Sequence, residues 1–183
     1  MKPIDDISLV TQAAVFHDRQ AFGRLVVKYQ SPIRRFFIHQ TSGDDALSDD
    51  LAQETFIRAY THIASFRGTA AFSSWLYRIA CNVFYDYVRR QRPTADIDSG
   101  EALRQGTQTA TPGLGHDIGR AMQCLSDRER MCVTLQLVDG YPINEIAGIT
   151  GMTEGTVKSH LFRGKQKLTD YLKKNGYDRK KRQ

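Results

Sequence analysis

The chain has 183 residues, 40% of them hydrophobic and 25% charged, with a formal net charge of +6 and a sequence pI near 9.3. That length holds one large domain or two small ones, and the apolar fraction is that of a globular protein. The basic balance favours an anionic partner, although any basic soluble protein would share it.

The three cysteines, Cys81, Cys124 and Cys132, form no CxxC pair, and no His/Cys cluster has metal-ligand spacing. This excludes a disulfide framework and predicts reduced core thiols in the cytoplasm, with no metal and no cofactor. The opening "MKPIDDISLV" has acids and no long apolar run, unlike a signal peptide, and no segment is apolar enough to insert in a membrane. Charge is unevenly spread. Residues 158–183 carry ten Lys/Arg against two acids, while Asp44, Asp45, Asp49, Asp50 and Glu54 form a run of acids without a base. Such asymmetry suggests two different partners.

In chain order, helical spacing begins after Asp18, with Phe22, Leu25, Val26 and Tyr29 at i, i+3, i+4 and i+7. Ser31-Pro32 reads as an N-cap and first helical position, opening a second helix through Ile33, Phe36 and Phe37. "TSGDDALSDD" reads as a loop. A further helix carries Ala52, Phe56, Ala59, Tyr60 and Ile63, and "FRGTAA" ends it. A long helix follows, with an apolar stripe at Phe72, Leu76, Ile79, Ala80, Val83 and Tyr87. Residues 94–115 are rich in Pro, Gly, Thr and acids and lack periodicity, which predicts a flexible acidic linker. Helical spacing resumes near His116. Ser126 and Glu129 form a capping-box pair, "DGYP" is a turn, and two helices follow over Ile143–Thr150 and from Thr153 to about Leu172. The tail "NGYDRKKRQ" reads as frayed. No strand pattern appears. The expected fold is all-α, with two small helical domains over residues 1–93 and 116–175, the linker between them, and a basic tail over 176–183.

The last two helices have the layout of a helix-turn-helix. "TGM" is the turn, Thr153 the N-cap, and Val157, Leu161, Gly164 and Leu168 the inward face. Gly155, Lys158, Ser159, Phe162, Arg163 and Gln166 line the opposite face. Lys158 and Arg163 suit guanine acceptors or phosphates, Ser159 several base edges, and Phe162 a thymine methyl. Lys165 and Lys167 suit phosphates. The competing reading is an amphipathic bundle helix with a solvated basic face.

A second stripe lies on the long helix, where Trp75, Arg78, Asn82, Tyr85 and Arg89 are spaced three, four, three and four. Alternating rings and cations suits a single strand, because rings stack on unpaired bases and cations follow the phosphates. Tyr77, Cys81, Phe84 and Val88 make the same helix apolar on a third side, so some of its aromatics belong to a core. Asp50, Gln53 and Glu54 share a face at i, i+3 and i+4, either merely solvated or a protein-docking face. No P-loop, GxSxG or HExxH is present, and the five histidines are scattered singly, as surface or capping residues, so no enzyme is expected.

Taken together, "AFGRLVVKYQ", "DDLAQETFIRAY", "SFRGTAAFSSWLYRIACN" and "LVDGYPINEIAGITGMTEGTVKSHLFRGKQKL" resemble an extracytoplasmic-function (ECF) sigma factor, a minimal initiation subunit of bacterial RNA polymerase. The resemblance spans nearly the whole chain outside the linker and tail. It implies that Asp49, Asp50, Gln53 and Glu54 bind the clamp helices of the core polymerase β′ subunit. It implies that Phe66, Arg67, Gly68, Trp75, Tyr77, Arg78, Asn82 and Tyr85 capture and read the melted −10 strand. Thr156, Lys158, Ser159, Phe162, Arg163 and Lys165 would read the −35 duplex, in a domain that also docks on the β flap. The family implies promoter DNA as ligand and an anti-sigma factor as inhibitor. His160 stands where relatives often carry Arg, and Thr69 where an acid is more usual. The rivals are a stand-alone DNA-binding regulator and a helical adaptor with no DNA role.

Overall fold

The computed structural model describes residues 5–91 and 114–176, and all regular structure among them is helical. Most of the expected linker and tail lie outside the described residues.

Helix α1 (Asp6–Val15) lies in a stretch without an expected helix. Ten residues make a marginal helix alone, and packing supplies the rest. Leu9, Val10 and Ala13 are buried, and Asp6 accepts hydrogen bonds from Lys28 Nζ at 2.6 Å and from the Tyr29 hydroxyl at 2.5 Å. Helix α2 (Arg19–Gln40) starts at the Asp18 cap, whose carboxylate accepts from the Gln20 and Ala21 amides. The expected break at Ser31-Pro32 does not occur, and Pro32 sits inside one continuous helix. An interior proline costs about 3 kcal/mol. Ile33, Phe36 and Phe37, all fully buried just beyond it, contribute roughly 1.5–3 kcal/mol each. Burial wins, and the helix runs through.

Helix α3 (Asp45–His62) also begins earlier than its polar sequence suggests. Asp44 accepts from the Leu47 amide at 2.9 Å, and acids in a first turn favour the helix dipole. The expected ten-residue loop is therefore a short turn. A 3-10 turn at Ile63–Ser65 leads into the loop 66–71, and helix α4 (Phe72–Gln91) follows.

The second half comprises α5 (Leu114–Gln123), α6 (Asp127–Val133), a π-helical turn at Thr134–Val138, α7 (Ile143–Thr150) and α8 (Glu154–Lys174). The expected capping box is formed, Ser126 and Glu129 each bonding the other's backbone N–H. Gly151, at φ 72°, takes the left-handed position that ends α7, and its N–H reaches the Ala147 carbonyl at 2.9 Å. Thr153 caps α8 as expected.

The two halves are not separate bodies. Their buried apolar side chains form one continuous cluster, and polar groups bond across the seam. Arg130, on α6, donates to the Gln40 carbonyl of α2 at 2.9 Å as well as to the Met122 and Leu125 carbonyls of its own half. Gln40 Nε2 reaches Thr134 Oγ1 at 3.2 Å, and Ser74 donates to Glu145 at 3.0 Å. Arg35 meets Asp139 at 3.2 Å, with the Asp139 side chain only 3% exposed. Burial raises the Asp139 carboxyl above its ordinary value, against the opposing hydrogen bonds of Tyr77 and Arg35. Of the expected core thiols, Cys81 and Cys132 are buried but Cys124 is exposed.

Candidate nucleic-acid and docking interfaces

On α8 the inward residues Val157, Leu161 and Gly164 are buried, and Leu168 is half-buried. Gly164 is where the helix comes closest to its partner, since a Cβ there would lie 2.8 Å from Val133 Cγ2. The opposite face is open. Lys158, Ser159, Arg163 and Lys165 are exposed, and Phe162 is 70% exposed on a helix whose core side is already filled. Thr156 differs. It is half-buried, and its hydroxyl lies 2.9 Å from Thr153 Oγ1 at the helix start, so it serves the cap.

Glu129 organises this face from below. Its side chain is 5% exposed, and it bonds Lys167 at 2.9 Å and lies 3.7 Å from Arg163 Nε. Burial pushes its carboxyl up, but Lys167 and the Ser126 backbone outweigh that and hold it below its ordinary value. His160 lies 3.3 Å from Arg163, and burial lowers its pKa, so it is mostly neutral near pH 7. Lys158 sits 3.9 Å from Glu154. The basic face is thus partly tethered to its own half, and sequence spacing did not single out Glu129 for that role.

On α4, Arg78 and Asn82 are exposed, with Trp75 and Tyr85 half-buried beside them. Phe66 packs edge-on against Phe72 at 5.7 Å and Trp75 at 5.6 Å, fixing the loop that presents the exposed Arg67 and Gly68. Gly68 has φ 70°, a left-handed turn position that other residues rarely adopt. Tyr77 departs from the expected strand-reading set. It is 3% exposed, lies between the Phe36 ring of α2 at 5.5 Å and the Tyr141 ring at 5.2 Å, and has Asp139 beside it, so it faces the core and the second half rather than solvent. Helical spacing puts Tyr77 on the apolar third side of α4, and the second half covers that side.

The acidic face of α3 is less uniform than its sequence. Arg34 reaches across from α2 to Asp45 and Asp49, both at 2.6 Å, and Arg58 binds Glu54 and Asp86, both at 2.7 Å. Asp50 and Gln53 remain exposed on this face. Beside them a groove of about 630 Å³ opens between α2 and α3, with Phe22, Val26, Phe56, Ile57 and Tyr60 in its wall and Asp49 and Gln53 on its rim. Ile57 and Tyr60 are 53% and 41% exposed. Two apolar residues three apart on a polar helix face were the sequence signal for this groove.

The chain is similar to known proteins in sequence and fold. Residues 25–94 match Sigma-70 region 2, and residues 116–168 match Sigma-70 region 4. The chain is 34% identical over 166 residues to the ECF RNA polymerase sigma-E factor of Escherichia coli K12, covering 82% of this chain and 86% of that protein. It is 32% identical over 171 residues to the ECF RNA polymerase sigma factor SigW of Bacillus subtilis, covering 85% and 91%. Among solved structures it resembles the sigma factor RpoE of Bartonella quintana, seen with the anti-sigma factor NepR, at TM-score 0.67 and 26% identity over 83% of this chain and 96% of that one. CnrH, seen with the cytosolic domain of CnrY, shares the fold at TM-score 0.68 and 22% identity over 94% and 99%. The chain belongs to the sigma-70 family of RNA polymerase initiation factors, in its extracytoplasmic-function class.

Proposed function

We propose that the chain directs core RNA polymerase to promoters and melts them, using three separate faces. The exposed Asp50 and Gln53, with Asp49 and Glu54 beside them and the α2–α3 groove alongside, dock on the β′ clamp helices. The loop Phe66–Gly68 and the Trp75, Arg78, Asn82 and Tyr85 face of α4 hold the unpaired −10 strand, trading base stacking for ring and cation contacts. The outer face of α8, Lys158, Ser159, Phe162, Arg163 and Lys165, enters the −35 major groove, with Thr156 supporting the start of that helix. The second half also docks on the β flap. The units are residues 1–93, the linker 94–115, residues 116–175 and the tail 176–183.

The single observation that carries this reading is Phe162. It is a large apolar ring, 70% exposed on a cationic helix face, where it contributes nothing to the core and has a use in a DNA groove. The protein catalyses no reaction itself and works in the cytoplasm. No helix among the described residues is long and apolar enough to cross a membrane. The complex of RpoE with the anti-sigma factor NepR supports control by an anti-sigma partner.

The test is a pull-down with core polymerase followed by run-off transcription on genomic fragments. Wild type should bind and start transcripts at discrete sites, and Asp50→Lys should weaken both. Absence of binding, or binding indifferent to Asp50→Lys, would sink the reading.

A further inference from the structure

On the outer face of α8 the Arg163 guanidinium is met at two points. Its Nε lies 3.7 Å from Glu129 Oε1, and its Nη2 lies 3.3 Å from His160 Nδ1. Glu129 is itself fixed. Its side chain is 5% exposed, and its Oε2 accepts from the Ser126 amide at 3.0 Å and from Lys167 Nζ at 2.9 Å, which leaves Oε1 facing Arg163. His160 is half-buried on the same helix, three residues before Arg163.

A guanidinium is a planar fork of N–H donors with no acceptor. Nε and Nη2 share one edge of that fork, and this edge is turned toward Glu129 and His160. The end edge, formed by Nη1 and the second hydrogen of Nη2, has no partner among the described residues, and the side chain is 56% exposed. Because Arg163 can only donate, His160 Nδ1 is the acceptor and carries no proton. His160 is therefore neutral, with its proton on Nε2. The charged groups facing it are Arg163 on its own helix and Arg128 and Glu129 on α6. Burial, then the two arginines, hold its pKa below the ordinary value of 6.5, against the pull of Glu129. The contact exists at neutral pH and is lost as pH falls through that lowered value, when the ring gains a charge that repels Arg163.

On the reading that α8 enters a major groove, we propose that His160 and Glu129 are positioning residues that turn the end edge of Arg163 toward one guanine of the recognised duplex. An arginine presented end-on bonds guanine O6 and N7 together, the commonest specific contact in that groove. An arginine that is not held must first fix its rotamers, at a cost in affinity, and is equally served by a phosphate, which carries no sequence information. The neutral ring of His160 thus sets sequence choice rather than general affinity. Glu129 supplies the fixed anchor beneath it, and its own bonds to Ser126 and Lys167 keep that anchor in place.

The test uses the full-length chain assembled with core polymerase and compares wild type with Arg163→Ala, His160→Asn and His160→Leu. Asn and Leu have nearly the same shape, and only the Asn amide oxygen can stand in for Nδ1 as an acceptor. Circular dichroism checks that all four proteins are folded. Each holoenzyme selects from a library of randomised duplexes, and the bound fraction is sequenced. Wild type should prefer guanine by about tenfold at a position where Arg163→Ala shows no preference. His160→Asn should keep that preference. His160→Leu should cut it to about threefold or less, while duplexes lacking the guanine bind within about twofold of wild type. The wild-type preference should fade as pH falls through the lowered His160 value, and that of His160→Asn should not. Equal preference in His160→Asn and His160→Leu, or a wild-type preference indifferent to pH, would overturn the proposal. So would an Arg163→Ala holoenzyme that selects the same sequences, since Arg163 would then read no base. Failure of the wild-type chain to bind core polymerase would sink the sigma reading instead. Nitrogen NMR of His160 in the full-length chain alone still decides the contact. The ring should be the Nε2–H tautomer, and Arg163→Ala should raise its pKa. An Nδ1–H tautomer would overturn the positioning role whatever the polymerase does.

Discussion

Helices α8 and α4 carry the two faces proposed to bind nucleic acid, and they are built in different ways. The stripe on α8 is complete within its own half. Its inward residues pack on α6, Glu129 tethers Lys167 and lies beside Arg163, and Phe162 stands clear of every packing surface. The stripe on α4 is complete only on one side. Arg78 and Asn82 are open, but the neighbouring Tyr77 is sealed against the other half. A duplex reader needs a rigid helix of fixed shape, which local packing supplies. The α4 face is bounded on one side by the packing of the two halves, so its extent is set by tertiary contacts rather than by its own helix.

The largest effect should come from removing Arg130, which bonds two carbonyls of its own half and one of α2. Arg130 serves three buried carbonyls, and Arg130→Met should strand them and cost about 3–5 kcal/mol in denaturant unfolding. A loss below about 1 kcal/mol would mean these three hydrogen bonds matter little to the fold. Gly164→Ala should cost about 1–3 kcal/mol, because its new Cβ meets the buried Val133. It should also reduce duplex binding while leaving single-strand binding intact, and equal loss of both would break the contrast between the stripes.

Glu129→Gln sharpens the same contrast through pH. The folded carboxyl sits below its ordinary value of 4.5. Its charged form therefore stabilises the fold above its ordinary value, and that contribution is lost as pH falls through the lowered value. Melting curves of wild type and Glu129→Gln should differ at pH 7 and converge as pH falls through the lowered value. Phe162→Ala should leave stability within about 0.5 kcal/mol and weaken duplex binding about tenfold at thymine-bearing positions. Smallest is Lys158→Ala, which should reduce the salt dependence of duplex binding by about one ion and change no base preference.

Much of this molecule was legible from its residues. Apolar spacing located the helix-turn-helix, with Thr153 and Gly151 marking its joints, and it separated the exposed Lys158, Ser159, Phe162 and Arg163 from the buried Val157 and Leu161. The Ser126–Glu129 capping box was likewise readable, because both partners lie within one turn. The misreadings occurred where distant packing overrode a local signal. Pro32 signals a break, yet the buried Ile33, Phe36 and Phe37 carry α2 through it. Asp45 and Asp49 read as loop acids, yet Asp44 caps a helix there and Arg34 reaches them from α2.

What the sequence determined by itself was therefore what depends on neighbours within a turn or two: helix faces, caps, and the polar and aromatic stripes that point to DNA. Tertiary structure alone decided which face of α4 is open. Tyr77 and Arg78 are adjacent in the chain and equally available on a bare helix. One is buried between Phe36 and Tyr141, and the other is exposed, because residues more than forty positions away pack on one side of that helix and leave the other to solvent.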